Sequence, residues 1–496
     1  MPQTIDIGSR RELFVDEYVI DRSDDDLSLQ LHHPIPREVV LHTDRPWEGC
    51  MSTYITVFRD DDVFRMYYTG WDLNIGSASD SDGAKGAEPH PMWVCYAESD
   101  DGLNWRRPSV GLIEHQGNTR NNIVWMGEGK KQHGVHGFAP FKDPRPGVDP
   151  EQRYKAIGSD RRATKGHLYA MRSPDGIHWE LMDHNPILRH DEDGKFDSQN
   201  LAFWDGERGQ YRIYVRDFHE TENGQRYRDI KTATSPDFVN WSSTEWLSYP
   251  DAPVEQLYTN QVMPYPRAPH IFVGFPSRYV ERSWSPAIEA LPELEHRRFR
   301  ADANERYGTA TTDGLFMSSR DGQTFKRWGE AFIRPGLQRR HQWAYGDNYQ
   351  GWGMIETPSA LDGAPDELSF FAREGVWRGE GTSIRRYSLR KDGFVSLNAT
   401  RGGAEFVTKP LTFEGSELEI NFSTSAAGSL RVEMQEGDGT PLDGYTLEEC
   451  YEQIGDELDR VVSWGHGTNV SPMSGEPVRL RFRLDDCDLY ALRFRA

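Results

Sequence analysis

The sequence predicts an all-β chain, a five-bladed β-propeller followed by a C-terminal β-sandwich. Three observations support this prediction: a turn phrase returns along the chain, strand-like runs precede each copy, and the pattern changes near residue 400. The composition agrees, because 46 Gly, 29 Pro and 12% aromatic residues suit short strands and turns better than helices. The predicted domains are residues 1–400 and 401–496.

The repeated phrase has Ser first, Asp third and an aromatic residue seventh. Its clear copies are residues 99–105, 173–179, 235–241 and 319–325, and a weaker fifth copy surrounds Asp392. Periods of roughly 60 to 85 residues are typical of one propeller blade with its loops. Because Ser and Asp cap turns and an aromatic ring packs between sheets, we interpret the phrase as a structural hairpin.

Two further strand-like runs precede each hairpin, which makes four strands per blade. In the first blade these runs are TYITVF and VFRMYYTGW, and in the third they are NLAFW and QYRIYVRDF. After residue 400 the blade pattern stops. Alternating runs such as ELEINFST and VRLRFRL then indicate a sandwich of about a hundred residues.

The charge balance narrows the choice of partner. A formal net charge of −22 argues against nucleic acid, whose binding needs clustered Lys and Arg, and favours a sugar or another neutral substrate. Four scattered Cys residues indicate neither a disulfide framework nor a zinc site. Without a signal-peptide pattern or a long apolar run, the sequence predicts a cytoplasmic protein with no membrane partner.

Five blades with these hairpins and an appended β-rich region resemble the five-bladed glycoside hydrolases of families 32, 68, 43 and 130. The resemblance implies a glycosidase whose site lies at one mouth of the propeller, and family 32 also carries an appended sandwich. The motifs of family 32 do not transfer. Its Asn-Asp-Pro-Asn-Gly segment is absent, the KDP at 142–144 falls on the hairpin side, and Glu449 with Cys450 lies outside the propeller.

Glycoside hydrolysis usually needs two carboxylates that flank the scissile bond. The loops leading into the first strands of the blades offer Glu48, Asp197, Glu255 and Asp347. We assign Asp197 as base or nucleophile, Glu255 as acid and Glu48 as a second base. Arg216 would keep Asp197 ionised, and apolar crowding would raise the pKa of Glu255. For each of these acids the alternative is a turn-capping or solvated loop carboxylate.

Side chains near these acids are candidate sugar ligands, because amides both donate to and accept from hydroxyls. The predicted substrate-binding residues are Trp47, His136, Gln199, Asn200, Arg216, Asp217, Asn260, Gln261, Arg278 and Asn348. His133, expected to be structural, and Glu356, in the first strand of blade five, are weaker candidates.

Two long loops, 72–91 and 280–308, are expected at the mouth, since loops of that length are usually functional. The second loop mixes helical spacing with Arg297, Arg298 and Arg300. These arginines are interpreted as an exposed face that pairs with local Glu, in preference to a site for an acidic sugar or phosphate.

The sequence therefore predicts a glycoside hydrolase that acts on a carbohydrate without a cofactor. The sequence leaves open whether a structural divalent ion occupies the propeller channel, because no motif has the spacing expected of metal ligands. One alternative is a non-catalytic carbohydrate-binding propeller. Another is a family 130-like phosphorylase, which would depend on phosphate and on basic groups at the mouth.

Overall fold

The computed structural model describes residues 4–72, 74–75, 86–87, 90–161, 165–220, 223–378 and 381–496. By their internal contacts the residues divide into two units. The propeller unit comprises Pro34–Pro264 and Pro269–Leu389, and the sandwich unit comprises Met1–His33, Tyr265–Ala268 and Arg390–Ala496. Strands dominate both units and the described residues form only three short α-helices, so the predicted all-β class is confirmed.

The N-terminal strands are divided between the two units. They are β1 (Ile5–Gly8), β2 (Glu12–Leu13), β3 (Ile20–Ser23), β4 (Leu27–Leu31) and β5 (Ile35–His42). The first four belong to the sandwich unit, whereas β5 is the last strand of a propeller sheet. Residues 1–33 therefore group with the C-terminal strands, although the sequence analysis placed them in the first domain.

The next strands form three four-stranded antiparallel sheets in chain order. Sheet 1 contains β6 (Thr53–Asp60), β7 (Val63–Gly70), β10 (Trp93–Ser99) and β11 (Ile123–Trp125), with the short pair β8 (Asn74–Ile75) and β9 (Gly86–Ala87) beside it. Sheet 2 contains β12 (His136–Lys142), β13 (Tyr154–Ser159), β14 (Leu168–Ser173) and β15 (Glu180–Leu181). Sheet 3 contains β16 (Leu201–Asp205), β17 (Gln210–Glu220), β18 (Arg226–Ser235) and β19 (Glu245–Trp246).

Two more four-stranded sheets follow, so the number of such sheets matches the five predicted repeats. A three-stranded sheet consists of β20 (Gln256–Leu257), β23 (Ser277–Val280) and β24 (Thr311–Gly314). Sheet 4 contains β21 (Met263–Tyr265), β22 (Ala268–Gly274), β25 (Met317–Ser319) and β26 (Lys326–Arg327). Sheet 5 contains β27 (Ile355–Thr357), β28 (Glu367–Glu374), β29 (Ser383–Leu389) and β5.

The Ser-x-Asp phrases are turn caps, as predicted. Ser99 Oγ accepts a hydrogen bond from the Gly102 N–H at 2.9 Å, and Asp101 Oδ1 accepts one from the Asn104 N–H at 2.7 Å. Burial opposes ionisation of Asp101, but the hydrogen bonds outweigh it and lower the pKa to about 2. Equivalent bonds to the Ser hydroxyl recur at Ser173, Ser235 and Ser319.

These turns also join consecutive sheets of the propeller unit. An aromatic residue of each turn contacts a ring of the preceding sheet, and sheet 5 precedes sheet 1. The pairs are Trp105 with Phe371, Trp179 with Tyr67, Phe238 with Phe141 and Phe325 with Tyr214, at ring separations of 5.8, 6.3, 5.7 and 6.2 Å. Phe275 and Phe370, 5.3 Å apart, join sheets 4 and 5. The cyclic order is that of a β-propeller.

Buried amides close the axis of the ring. Gln199 Nε2 donates to Thr56 Oγ1 of sheet 1 at 3.0 Å, while Gln261 Nε2 donates to Gln199 Oε1 at 2.7 Å and to the Gln350 carbonyl at 2.8 Å. All four residues are at most 2% exposed. Hydrogen bonds at the centre thus connect sheet 1 with the segments that lead into sheets 3, 4 and 5.

The segment between β23 and β24 is helical, as its spacing predicts. It contains α1 (Pro286–Glu289), α2 (Leu294–Ala303) and α3 (Glu305–Thr309). Ser285 caps α1 by accepting a hydrogen bond from the Ile288 N–H at 3.3 Å. No helix of the described residues is long and apolar enough to cross a membrane.

The sandwich unit has its own core. Its later strands are β30 (Val395–Ala399), β31 (Ala404–Thr408), β32 (Leu411–Phe413), β33 (Glu417–Glu436), β34 (Asp456–Val461) and β35 (Val478–Arg495). β1 to β4 pair with β32, β35, β31 and β30 respectively. Asp392 accepts hydrogen bonds from Tyr265 at 2.7 Å and Arg267 at 3.0 Å, so the weaker fifth copy is an ion-paired anchor of this unit instead of a capped hairpin.

Candidate functional site

The candidate site is centred on Asp197, four residues before β16. Its carboxylate is 32% exposed and lies 3.6 Å from Arg216 Nη2 and 3.9 Å from His136 Nε2. His136, the first residue of β12, is buried, and burial lowers its pKa although Asp197 opposes that shift. The structure thus brings together three predicted site residues from sheets 2 and 3, with a neutral imidazole beside the acid.

Tyr54 completes this corner, and the sequence analysis missed it. Its ring meets the His136 ring edge to face at 5.2 Å, and burial, followed by the charge of Asp197, raises the pKa of its hydroxyl. Tyr54 has a left-handed backbone with φ of 53°. Such conformations are costly for a residue with a side chain and concentrate at functional sites.

Arg216 connects Asp197 to the tyrosines. Its backbone N–H donates to Asn200 Oδ1 at 3.0 Å and its Nε to the Lys195 carbonyl at 3.2 Å, while the guanidinium lies 5.3 Å from the Tyr258 ring. Asp217 forms an ion pair with Lys231 at 2.7 Å. Because side chains alternate along a strand, Arg216 and Asp217 face opposite sides of β17, and only Arg216 reaches Asp197.

We define the arginine–tyrosine cluster as the contiguous group of rings and guanidiniums beside Asp197. The rings of Tyr258 and Tyr349 are 5.2 Å apart, those of Tyr279 and Tyr345 are 5.6 Å apart, and the Tyr258 hydroxyl accepts a hydrogen bond from Tyr345 at 3.4 Å. Its members are Arg216, Arg228, Arg306, Arg373, Tyr258, Tyr279, Tyr345 and Tyr349.

The cations of the cluster lie over these rings. Arg228 is 4.7 Å from the Tyr279 ring, Arg373 is 4.2 Å from the Tyr349 ring, and Arg306 is 5.7 Å from the Tyr345 ring. Burial raises the pKa of Tyr258, and Tyr345 and then Asp197 raise it further, which places the acid and the cluster in one region.

The helical segment supplies part of the site. Arg306 belongs to α3, and the next residue, Tyr307, stacks on Tyr345 at 5.6 Å. The prediction of an exposed arginine face is correct for Arg298, which is exposed and pairs with Glu289 at 3.2 Å. It is wrong for two others, because Arg297 and Arg300 are buried and donate to backbone carbonyls. Of the loop 72–91, residues 73, 76–85 and 88–89 lie outside the described residues.

Glu255, predicted as the acid, lies between two arginines. Arg278 Nη1 donates to Glu255 Oε1 at 2.7 Å, and Arg327 donates to the other oxygen. Arg278, predicted to bind substrate, also forms an ion pair with Asp313 at 2.7 Å. The environment of Glu255 is therefore a network of ion pairs, not the apolar crowding that the assignment invoked.

Glu48, the second base candidate, is wholly buried. It accepts hydrogen bonds from the Tyr68 hydroxyl at 2.5 Å and from Arg107 at 2.8 Å. Burial raises the pKa of Glu48, while Arg107 and then Tyr68 oppose that shift. The neighbouring Trp47 is half-buried and donates to Asn122 at 2.7 Å. These contacts tie both predicted residues to the scaffold of sheet 1.

The predicted amide ligands bond to the protein itself. Asn260 Oδ1 accepts from the Val262 N–H at 3.3 Å, and Asn348 Nδ2 donates to the Thr312 carbonyl at 3.4 Å. Asn200 holds Arg216, and Gln199 and Gln261 lie on the axis. Asp347, the fourth mouth acid, is fully buried and accepts from the Gly375 N–H at 3.0 Å. The side chains of these amides and of Asp347 thus hold the protein around the site in place through hydrogen bonds.

The remaining candidates lie apart from Asp197. His133 bonds to Asp160 and packs on Tyr169 at 4.6 Å, as expected of a structural His. Glu356 is exposed on β27. No group of three or more His, Cys, Asp or Glu side chains in the described part of the chain is arranged to hold a metal ion.

The residues that sequence reasoning missed are tyrosines and arginines. Tyr258 and Tyr345 stand in the same short phrases, EQLYTNQ and YGDNYQ, whose acids and amides drew attention. The Tyr residues in these two loops were the available signal. Arg228 and Arg373 lie inside strands, where the sequence does not show which face they occupy.

Comparison with known proteins finds structural similarity only. No family model matches the chain, and no curated protein matches its sequence. A family 43 arabinoxylan arabinofuranohydrolase from Bacillus subtilis is 10% identical, with 93% of this chain and 99% of that chain covered and a TM-score of 0.42. A family 32 β-fructofuranosidase from Bombyx mori is 11% identical, with 94% of each chain covered and a TM-score of 0.40.

A third similar structure comes from work on the family 130 mannoside phosphorylases, which that work shows to contain glycoside hydrolases. It is 14% identical, with 72% of this chain and 93% of that chain covered and a TM-score of 0.43. Families 32, 43 and 130, all named from the sequence, are thus represented among the structural neighbours. All three TM-scores are below 0.5.

Proposed function

We propose that the chain is a glycosidase that binds a carbohydrate beside Asp197 and cleaves a glycosidic bond there. One observation supports this most directly: Asp197 is a partly exposed carboxylate held near Arg216 and His136, with the partly exposed ring of Tyr54 in the same corner. Aromatic faces pack against sugar rings, and a carboxylate stabilises the positive charge that develops on the sugar during cleavage.

Asp197 has the surroundings of a base or nucleophile. The guanidinium of Arg216 favours the ionised carboxylate, and the neutral His136 adds no competing charge. As a base, Asp197 would take a proton from a water that displaces the leaving-group oxygen from the anomeric carbon. As a nucleophile, it would itself displace that oxygen, which takes up a proton as it leaves, and water would then hydrolyse the glycosyl ester. The half-exposed Tyr54 beside it would contact the sugar at the same position.

A non-catalytic carbohydrate-binding propeller is the second candidate. The observation that favours it is the environment of the other two predicted catalytic acids, since Glu255 is ion-paired twice and Glu48 is buried. A third candidate, a phosphorylase, is favoured by the basic groups at the mouth. It would use phosphate as the nucleophile in place of a second carboxylate.

The test is turnover of aryl furanosides, aryl pyranosides and fructans, with and without phosphate. Asp197→Asn is compared with Asp191→Asn, a matched control on the same loop whose exposed side chain pairs with Lys195 at 2.6 Å. We expect Asp197→Asn to lose at least about 100-fold in kcat and the control to keep wild-type rates. Turnover that Asp197→Asn retains would refute the assignment, and strict phosphate dependence would identify a phosphorylase. Binding without turnover would leave the non-catalytic function.

A further inference from the structure

The arginine–tyrosine cluster concentrates positive charge in a chain that is acidic overall. The chain has 79 acidic and 57 basic residues, so an arginine generally has carboxylates near it. In the described part of the chain, however, no carboxylate forms an ion pair with Arg228, Arg306 or Arg373. Asp197 lies 3.6 Å from Arg216, and Glu281 lies 3.5 Å from the Tyr279 hydroxyl. Among the described residues, only Arg216 of the four guanidiniums is therefore within ion-pair distance of a carboxylate.

Two of these guanidiniums are buried with unused donors. Arg216 is 3% exposed and Arg373 is 4% exposed, and in each the Nη1 atom has no hydrogen-bond acceptor. The Nε atom of Arg228 is likewise buried without an acceptor. Leaving a buried, charged donor unpaired is costly, and an incoming anion would supply both the acceptor and the opposite charge.

The spacing of the cluster indicates the kind of anion. The Tyr258 ring lies next to Arg216 and Arg228, whereas Arg306 lies beyond it against Tyr345, whose ring is 6.3 Å from that of Tyr258. The tyrosine rings of the cluster are buried, so a ligand reaches its cations and not its ring faces. An acidic oligosaccharide carries several charges at intervals and can therefore pair with more than one of these arginines.

We propose that the carbohydrate of this site is an anionic oligosaccharide, with carboxylate or sulfate groups that bind Arg228 and Arg306. The proposal rests on the proposed function only in the location of the site. Arg228 and Arg306 are half-exposed, so a ligand can contact them from solvent. Arg216, in the same cluster, lies next to Asp197.

The experiment measures binding by calorimetry in the Asp197→Asn background, which removes turnover from the readout. The probes are tetragalacturonate for carboxylates, a κ-carrageenan tetrasaccharide for sulfate esters, a neutral galactotetraose and inorganic phosphate. The variants are Arg228→Gln and Arg306→Gln. The matched control is Arg298→Gln, which removes an exposed arginine of the same helical segment.

We expect at least one acidic probe to bind more tightly than galactotetraose and to weaken as salt increases. Each cluster variant should weaken that binding about 10- to 100-fold and leave galactotetraose unchanged, while the control binds as the parent does. If Arg228→Gln does not fold, Arg306→Gln on the exposed side of α3 still tests the proposal.

Equal affinity for neutral and acidic probes would overturn the inference, as would competition by phosphate without any preference for acidic sugars. These failures are separable from failure of the proposed function. Asp197-dependent hydrolysis of neutral sugars without an acidic preference would refute the inference alone. Selective binding of an acidic probe that wild type never cleaves would refute the glycosidase proposal and support the inference.

Discussion

Replacing Gln261 by Met tests whether the buried amides hold the propeller closed. Gln261 Nε2 is the donor to Gln199 Oε1 and to the Gln350 carbonyl, whereas its own Oε1 accepts no hydrogen bond. Met has a similar length and volume, so the change removes two hydrogen bonds with little cavity. Each buried acceptor left unpaired costs about 1–3 kcal/mol, and together they predict a loss of about 2–6 kcal/mol.

Urea unfolding followed by tryptophan fluorescence measures this loss as a lower midpoint at an unchanged slope. The matched control is Gln323→Met, because Gln323 lies in a surface turn and its side chain donates to Glu245 at 2.9 Å. The control should change stability by less than about 0.5 kcal/mol. A Gln261→Met protein as stable as the control would show that sheet packing, not the amides, closes the ring.

Two further predictions concern carboxylates of the propeller unit. Glu255→Gln should keep kcat within about threefold and lower stability by about 2 kcal/mol, because it leaves Arg327 without an ion pair and Arg278 with Asp313 alone. Kinetics and urea unfolding measure the two effects, and a large loss of kcat would restore the predicted acid role. Burial raises the pKa of Asp229 to about 6. The folded state then binds the proton more tightly than the unfolded state, so stability should fall by up to about 3 kcal/mol from pH 4 to pH 7. Asp229→Asn should remove that fall. Urea unfolding at pH 4.5 and 7.5 gives the free energy of unfolding at each pH, and a variant with the same difference as wild type would contradict the assignment.

The sequence predicted the sheets well because their signals are local. The Ser-x-Asp phrase carries its own hydrogen bonds, so Ser99 and Asp101 cap their turn whatever surrounds them. The same reasoning failed at Asp392, where the chain has Arg390 in place of Ser and the acid pairs with distant cations. It also could not show that β1 to β4 leave the propeller unit, since strand pairing across hundreds of residues has no local signature.

The site was predictable in part. The loops and strands indicate Asp197, His136 and Arg216, and the structure brings both His136 and Arg216 within 4 Å of Asp197. The amides were misjudged because an Asn or Gln that can read a sugar hydroxyl can equally satisfy a backbone group, and burial decides between the two. Sequence patterns do not show that burial when five sheets converge on one axis.

One backbone feature connects the scaffold to the chemistry. Gly137, the second residue of β12, has φ of 63°, and a Cβ there would lie 2.5 Å from the Ser198 carbonyl, so only Gly fits. Tyr54, the second residue of β6, has φ of 53° at a similar irregularity of the pairing. Both β6 and β12 therefore have a left-handed residue at their second position. At Tyr54 it is kept at a cost of about 1–2 kcal/mol in a residue with a large side chain. Since Ala or Gly would meet the backbone requirement as well or better, the Tyr is explained by what its ring contacts, namely His136 and the region of Asp197.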